Sequence, residues 1–315
     1  MGETATIRRS FIIGTRGSLL ARAQCQIVQG ELAARYSGDA WLTKEIKTQG
    51  DIDRDASLAS LGGLGVFVRA LEESLLAGEI DLAVHSLKDM PTELPPGLKI
   101  AAILPREDAR DVLISRLAPS LDSLPEGAVV GTSSPGRQAQ LLCYRRDLVT
   151  RDIRGNVDTR LRKLHDRKFD ALILAAAGLI RLGRGHLITQ YLSMEVMLPA
   201  VGQGALANEV REDDRAVIRR VEPLNHHTTE RAVQAERSFL AALGGGCAVP
   251  IAAYGEVANG RICLTGVVAD PRGGRCIRDS LTGPVSQPEA LGHRLAERLL
   301  GRGAGELLQG AVSVE

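Results

Sequence analysis

No stretch of this 315-residue chain is apolar for long enough to cross a membrane: runs such as ALILAAAGLI at 171–180 stop well short of the ~20 residues a span needs. An excess of one charge is missing too. Lys plus Arg total 39 against 38 Asp plus Glu, a formal net charge of +1, so no global field selects nucleic acid or an anionic membrane and any anion site must be local. The N-terminal MGETATIRRSFIIGTRGS offers too short an apolar core for a signal peptide, and a cytoplasmic location is expected. The five cysteines, Cys25, Cys143, Cys247, Cys263 and Cys276, are odd in number, far apart and without a CxxC pair, which argues against a disulfide framework and a zinc site. With no Walker motif or GxGxxG turn, carboxylates gain over nucleotide phosphates as the anion. Nothing demands more than a monomer.

What is present is the composition of a soluble globular protein, 44% hydrophobic and long enough for two or three domains. Short aliphatic runs alternate with helical patterns, the mark of βα units around largely parallel sheets. Strands are expected at SFIIGT, LTKEIK, IDLAVH, LKIAAI, AVVGTS, LVTRDI and DALILA, and helices over 18–36, 66–77, 134–146, 156–167 and 176–182. PTELPPG at 91–97 and PREDARD at 105–111 read as breaks between two α/β lobes. From about 227 a helix, a Gly-Cys loop, three strands and a closing helix suggest a small α+β domain. Four cysteines fit as small buried hydrophobes in regular elements; only Cys247, in LGGGCAVPI at 243–251, has no such element and reads as a reactive thiol on a loop.

Three strand ends share a pattern. Gly14-Thr15-Arg16-Gly17-Ser18, Gly131-Thr132-Ser133-Ser134 and Arg154-Gly155-Asn156 each place glycine, a small polar side chain and a nearby arginine before a helix. Free backbone N–H groups and the helix dipole favour anions there, and in open α/β sheets ligands bind at such ends. Arg16, Arg137, Arg154 and Arg160 could converge on a ligand with several carboxylates or phosphates. The bland reading of 145–168 is a solvated helical face with pairs such as Asp158 with Arg162. Lys88-Asp89, at the end of IDLAVHSLKDMP, is either a solvated surface pair or a carboxylate at a cationic cleft, able to offset developing positive charge or move a proton.

Taken in order, GTRGSLLARAQ, TQGD, VHSLKDMP, REDARD, GTSSPGRQ, IRGNVDTRL, AAAGLIRLG, LPAVGQGA, NHHTTERAVQAER and GGGCAVP resemble the porphobilinogen deaminase (hydroxymethylbilane synthase) family over about 300 residues. The resemblance implies two α/β domains like those of bilobal solute-binding proteins, with a cleft between the lobes, plus a smaller C-terminal α+β domain that attaches the cofactor. Domain 1 would be 1–104 with 203–222, the latter as a helix; domain 2, 105–202; and domain 3, 223–315. It implies a transferase that joins four porphobilinogen molecules head to tail, losing ammonia each time, and frees hydroxymethylbilane by hydrolysis. Each step passes through an electron-poor azafulvene that the α-carbon of the growing chain attacks. By the same resemblance Cys247 holds a dipyrromethane cofactor as a thioether, and Asp89 is catalytic with Lys88 beside it. Arg137, Arg160, Ser134, Thr132, Ser86 and Lys88 bind the cofactor, and Arg16, Ser18, Arg154, Arg181, Phe67 and Gln203 line the substrate site. No metal is implied.

Three positions depart from the family pattern: Gly136 stands where an arginine is usual, and Ser60 and Leu64 where lysines are. A hydrogen bond to a charged group is worth ~1.5–3 kcal/mol, so losing the guanidinium at 136 alone would weaken carboxylate binding by roughly one to two orders of magnitude. Those losses leave room for a second reading, a catalytically impaired relative that binds a polycarboxylate or holds the cofactor without completing elongation.

Overall fold

A computed structural model describes residues 9–47, 66–245 and 249–312. The chain falls into two compact units, one made of 1–105 with 206–227 and the other of 106–205 with 228–315.

The first unit is built on a five-stranded sheet ordered β2-β1-β3-β10-β4. Its strands are β1 (Ser10–Thr15), β2 (Ala40–Glu45), β3 (Leu82–Ser86), β4 (Leu98–Ile103) and β10 (Leu206–Arg211). β1 pairs in parallel with β2 and β3, whereas β10 lies antiparallel between β3 and β4. Helices α1 (Leu19–Arg35) and α6 (Arg215–Val221) cover one face, burying Val28, Leu32, Val217 and Ile218 against Phe11, Ile13 and Val84. On the other, α2 (Val66–Leu76) sets Leu71 and Leu75 against Ile80, Ala83 and Leu98. Cover on both faces accounts for the aliphatic runs of the inner strands β1 and β3.

The second unit holds a sheet ordered β7-β6-β8-β5-β9, with β5 (Asp111–Ser115), β6 (Val129–Gly131), β7 (Val149–Arg151), β8 (Ala171–Ala175) and β9 (Gln190–Tyr191). Helix α3 (Pro135–Tyr144) packs Leu141 on one face, and α4 (Val157–His165) and α5 (Ala176–Arg181) place Leu164 and Leu179 on the other. The same unit contains an antiparallel sheet of β11 (Ile251–Ala258), β12 (Arg261–Ala269) and β13 (Cys276–Pro284). Against it lie α7 (His227–Ala242), α8 (Pro288–Gly301) and α9 (Ala304–Val312), through Phe239, Leu291, Leu295 and Leu299.

Several expectations are corrected. Residues 203–222 are not a helix: a turn at 203–205 leads into β10, and only Arg215–Val221 is helical there. PREDARD does hold a break, since the two units part between Pro105 and Arg106, and only its last residue, Asp111, opens β5. Residues 223–227 pack with the first unit, where Asn225 Oδ1 accepts from Ile103 N (2.9 Å) and His226 N–H donates to Ile103 O (2.7 Å). Cys143 and Cys276 are not separate buried thiols but a disulfide, their Cα atoms 6.5 Å apart, and Cys263 is exposed; of these positions Cys25 alone is a buried thiol.

Candidate functional site

β3 is fully apolar on its buried positions until His85, then ends in Ser86 and one 3-10 turn, Leu87–Asp89. Leu87 and Met90 are buried and fix the turn from below, which leaves Lys88 and Asp89 half-buried at the strand's carboxyl end. Gln24 of α1 reaches across, its Nε2 donating to Ser86 Oγ at 2.8 Å. The parallel neighbour β1 ends in Thr15, followed by half-buried Arg16 and by Ser18, whose Oγ caps α1 by accepting from Ala21 N at 3.1 Å. Parallel pairing of β1 with β3 therefore puts Arg16, Ser18, Ser86, Lys88 and Asp89 at one edge of one sheet. Behind that edge, His85 Nε2 lies 3.0 Å from Glu209 Oε2 on β10, both side chains buried. Burial and the charge of Glu209 raise the carboxyl of nearby Glu72 above its ordinary range.

In the second unit, β6 runs into Thr132, Ser133 and Ser134. Thr132 Oγ1 accepts from Ser134 N (3.3 Å), and Ser134 Oγ caps α3 by accepting from Arg137 N (3.4 Å), with Pro135 in the first turn where its lack of an N–H costs nothing. The guanidinium of Arg137 points into protein. Its Nε and Nη2 donate to Asp111 at 3.1 and 2.8 Å, and Nη2 also to Gln203 Oε1 at 3.1 Å. Gln203 Nε2 in turn donates to Asp111 Oδ1 (2.6 Å) and Ala109 O (2.8 Å). Asp111, Arg137 and Gln203 thus close a buried network, so Arg137 meets a protein carboxylate where the spacing had suggested a ligand's.

After β7, Gly155 adopts φ +106°, a conformation open to glycine, and a Cβ there would sit 2.6 Å from Thr159. Asn156 Oδ1 caps α4 through Thr159 N at 3.0 Å. Arg160 Nε donates to Gly155 O at 2.8 Å, so both arginines of this motif, Arg154 and Arg160, are half-buried around one turn. Asp158 pairs with Arg184 and not with Arg162. Arg181, at the end of α5, donates to Gly204 O at 2.6 Å; burial pulls its guanidinium down to about 10 despite the opposing charge of Glu107. A buried cation with so little compensation is well matched to an incoming carboxylate.

Cys247 lies outside the described residues, as do Ser60 and Leu64, and of Phe67 only the backbone, in α2, is described. Upstream of the cysteine the chain leaves α7 through Gly244 at φ +65°. Gly245 follows, where a Cβ would meet Leu240 and Ile251 at 2.6 and 2.7 Å. Its missing side chain makes room for protein rather than for a ligand. At Gly136, by contrast, a Cβ would find only Ile251 O at 3.5 Å, so the start of α3 could accept a larger residue. The donors on these strand ends, guanidinium groups, hydroxyls and helix-capping backbone, suit a carboxylate-bearing group such as dipyrromethane. No cluster of His, Cys, Asp or Glu that could hold a metal occurs among the described residues, nor does any helix there have the length and apolarity to cross a membrane.

Ser18, Ser134 and Asn156, the small polar residues of the three strand-end motifs, each cap the helix that follows. No sequence signal pointed to the buried acids Asp111, Glu209 and Glu72; Asp111 and Glu209 meet partners far away in sequence, Arg137 on α3 and His85 on β3.

Comparison with known proteins bears on the whole chain. A solved periplasmic substrate-binding protein of an ABC transporter from Coxiella burnetii aligns over 68% of this chain and 91% of its own, at TM-score 0.44 and 14% identity. Porphobilinogen deaminase of Desulforudis audaxviator is 50% identical over 302 residues, 96% of this chain and 98% of that protein. That of Geobacter metallireducens is 52% identical over 296 residues, 94% of this chain and 93% of that protein. The sequence profile of the porphobilinogen deaminase dipyromethane cofactor binding domain matches residues 11–219, and that of the family's C-terminal domain residues 231–301. With profile matches across most of its length and relatives at half identity end to end, the chain belongs to the porphobilinogen deaminase family.

Proposed function

We propose that the chain joins four porphobilinogen molecules head to tail, releasing one ammonia at each joining, and frees hydroxymethylbilane by hydrolysis. The observation that carries this reading is the placement of Asp89 on a single 3-10 turn at the end of β3, beside Lys88 and at the same sheet edge as Arg16 and Ser18. A carboxylate held there accepts a hydrogen bond from a pyrrole N–H and offsets the positive charge that grows as the amine departs. Lys88 holds a substrate carboxylate next to the reacting ring and takes part in the cofactor's binding with Ser86.

Cys247 holds dipyrromethane as a thioether; when bound, it supplies the free pyrrole α-carbon on which the first substrate is joined. Thr132, Ser134 and Arg160 hold its acetate and propionate groups. Arg137 acts at the same place by orienting the start of α3 through Asp111, and Gln203 belongs to that network. Arg16, Ser18, Arg154 and Arg181 bind substrate carboxylates, with Phe67 lining the site. Arg181 gains most from that contact, because a carboxylate replaces the solvation its burial removed. The attachment role falls to the part of the second unit from residue 228 on, while 1–105 with 206–227 and 106–205 supply the binding residues. The protein works in the cytoplasm as a monomer on a small soluble substrate.

Intact mass tests this directly. Protein from a heme-making host is expected to weigh more than the bare chain by two porphobilinogen-derived units, an increment lost in Cys247→Ser, and to give coloured porphyrin after incubation with porphobilinogen and acid oxidation. A bare-chain mass together with no porphyrin overturns the reading.

A further inference from the structure

The disulfide between Cys143 and Cys276 has no part in the reaction above. Cys143 is the penultimate residue of α3, half-buried, and Cys276 opens β13 and is exposed. Their Cα atoms stand 6.5 Å apart, inside the range a disulfide spans without backbone movement. Contacts on either side hold that spacing independently of the bond. Arg146 Nη2 donates to Gly274 O at 3.0 Å, and Gly273, at φ +73°, lies so close to Leu142 that a Cβ there would collide with it. At its other end the same helix begins with Ser134, Gly136 and Arg137, and Gly136 faces the backbone of Ile251, the first residue of β11. Helix α3 therefore touches the three-stranded sheet at both of its ends, and the sulfur pair is the covalent one of the two contacts.

We propose that Cys143 and Cys276 form a reversible redox staple, closed by a low-molecular-weight disulfide, that locks the arginine-bearing helix α3 onto the three-stranded sheet. Closure runs in two exchanges. The exposed Cys276, as thiolate, attacks the small disulfide and releases one small thiol; the Cys143 thiolate then displaces the second and forms the Sγ–Sγ bond. Two protein thiols lose two electrons and two protons, and one small disulfide becomes two small thiols. Because the bond closes a sequence separation of 133 residues, it removes many open states of the chain. Cys263, exposed on β12, has no such partner across the same sheet and serves as the internal control.

The test equilibrates the full chain with a low-molecular-weight thiol and its disulfide, blocks remaining thiols by alkylation, and maps peptides without reduction. A cross-linked Cys143–Cys276 peptide is expected in the wild type and in Cys263→Ser. In both, reduction should lower the thermal midpoint by about 5–10 °C and speed amide exchange in residues 135–144 at least ~10-fold. Cys143→Ser and Cys276→Ser should show no response to reductant. Small-thiol adducts on separate cysteines with no cross-link, a wild-type midpoint indifferent to reduction, or a reductant response that survives in Cys276→Ser would each overturn the staple. The wild-type and Cys263→Ser measurements stand even where a staple variant fails to fold.

Discussion

The two five-stranded sheets have one design and different chemistry at their edges. In the first, β2, β1 and β3 run parallel and β10 and β4 continue antiparallel; in the second, β7, β6 and β8 are followed by β5 and β9 in the same sense. Each antiparallel fourth strand buries an acid that faces a base: Glu209 with His85, and Asp111 with Arg137. The matching third strands part company at their ends. β3 stops at the turn bearing Lys88 and Asp89, whereas β8 passes straight into α5, apolar until Arg181. A shared frame sets where side chains can meet a ligand, and the few residues after each strand decide whether that edge offers an acid or mainly cations.

The comparison breaks most sharply at Asp89. Asp89→Asn should cut porphobilinogen consumption by about 10²–10³-fold or more, with the thermal midpoint within ~2 °C of wild type; near-normal turnover would remove the contrast between the two edges. Next, Asp111→Ala strands the Arg137 guanidinium, side-chain exposure 11%, without its carboxylate. A loss of about 3–5 kcal/mol is expected in denaturant unfolding, and a loss under 1 kcal/mol would mean the pair is dispensable. Arg181→Met should lower kcat/KM about 10–100-fold while raising the thermal midpoint of the unliganded chain. The pH dependence has a definite sign. With the folded guanidinium at about 10 and the unfolded one at its ordinary higher value, the unfolded chain holds more protons between them, so wild-type stability gains from this group as pH rises through that window. The methionine variant should lack that gain. The smallest effect belongs to Glu72→Gln. Because the folded carboxyl is raised, its contribution is fully present below the ordinary carboxylate value and lost as pH climbs to the folded one. The variant should therefore melt about 2–4 °C higher at pH 7.5 and converge with wild type near pH 4.5, a gap that differential scanning fluorimetry resolves.

Legibility followed the physics of each element. Strands buried on both faces, such as ALILA in β8, stand out because nothing polar interrupts them, and helices such as α1 and α4 announce themselves through Ser18 and Asn156. β10 escapes the same reading because LANEVR carries Asn208 and Glu209, polar residues that a central strand tolerates only once Ala102 O and His85 have met them. β5 hides in a run of charges for a similar reason, since Asp111 is neutralised by a guanidinium 26 positions away. That Arg16 and Lys88-Asp89 stand at strand ends was readable from their motifs, and the parallel pairing of β1 with β3 is what brings those ends to one sheet edge. That Arg137 would turn inward was not, because a guanidinium fits a protein carboxylate as well as a ligand's.

The strand order β2-β1-β3-β10-β4 also bears on how the chain is made. β4 has no neighbour in its sheet except β10, so after residue 103 a growing chain carries a strand with nowhere to pair until residues 206–211 have been synthesised. All five strands of the other large sheet lie within 111–191 and need nothing that comes later. During synthesis from the N-terminus, the half that starts first must therefore wait, and the half that starts second can close ahead of it.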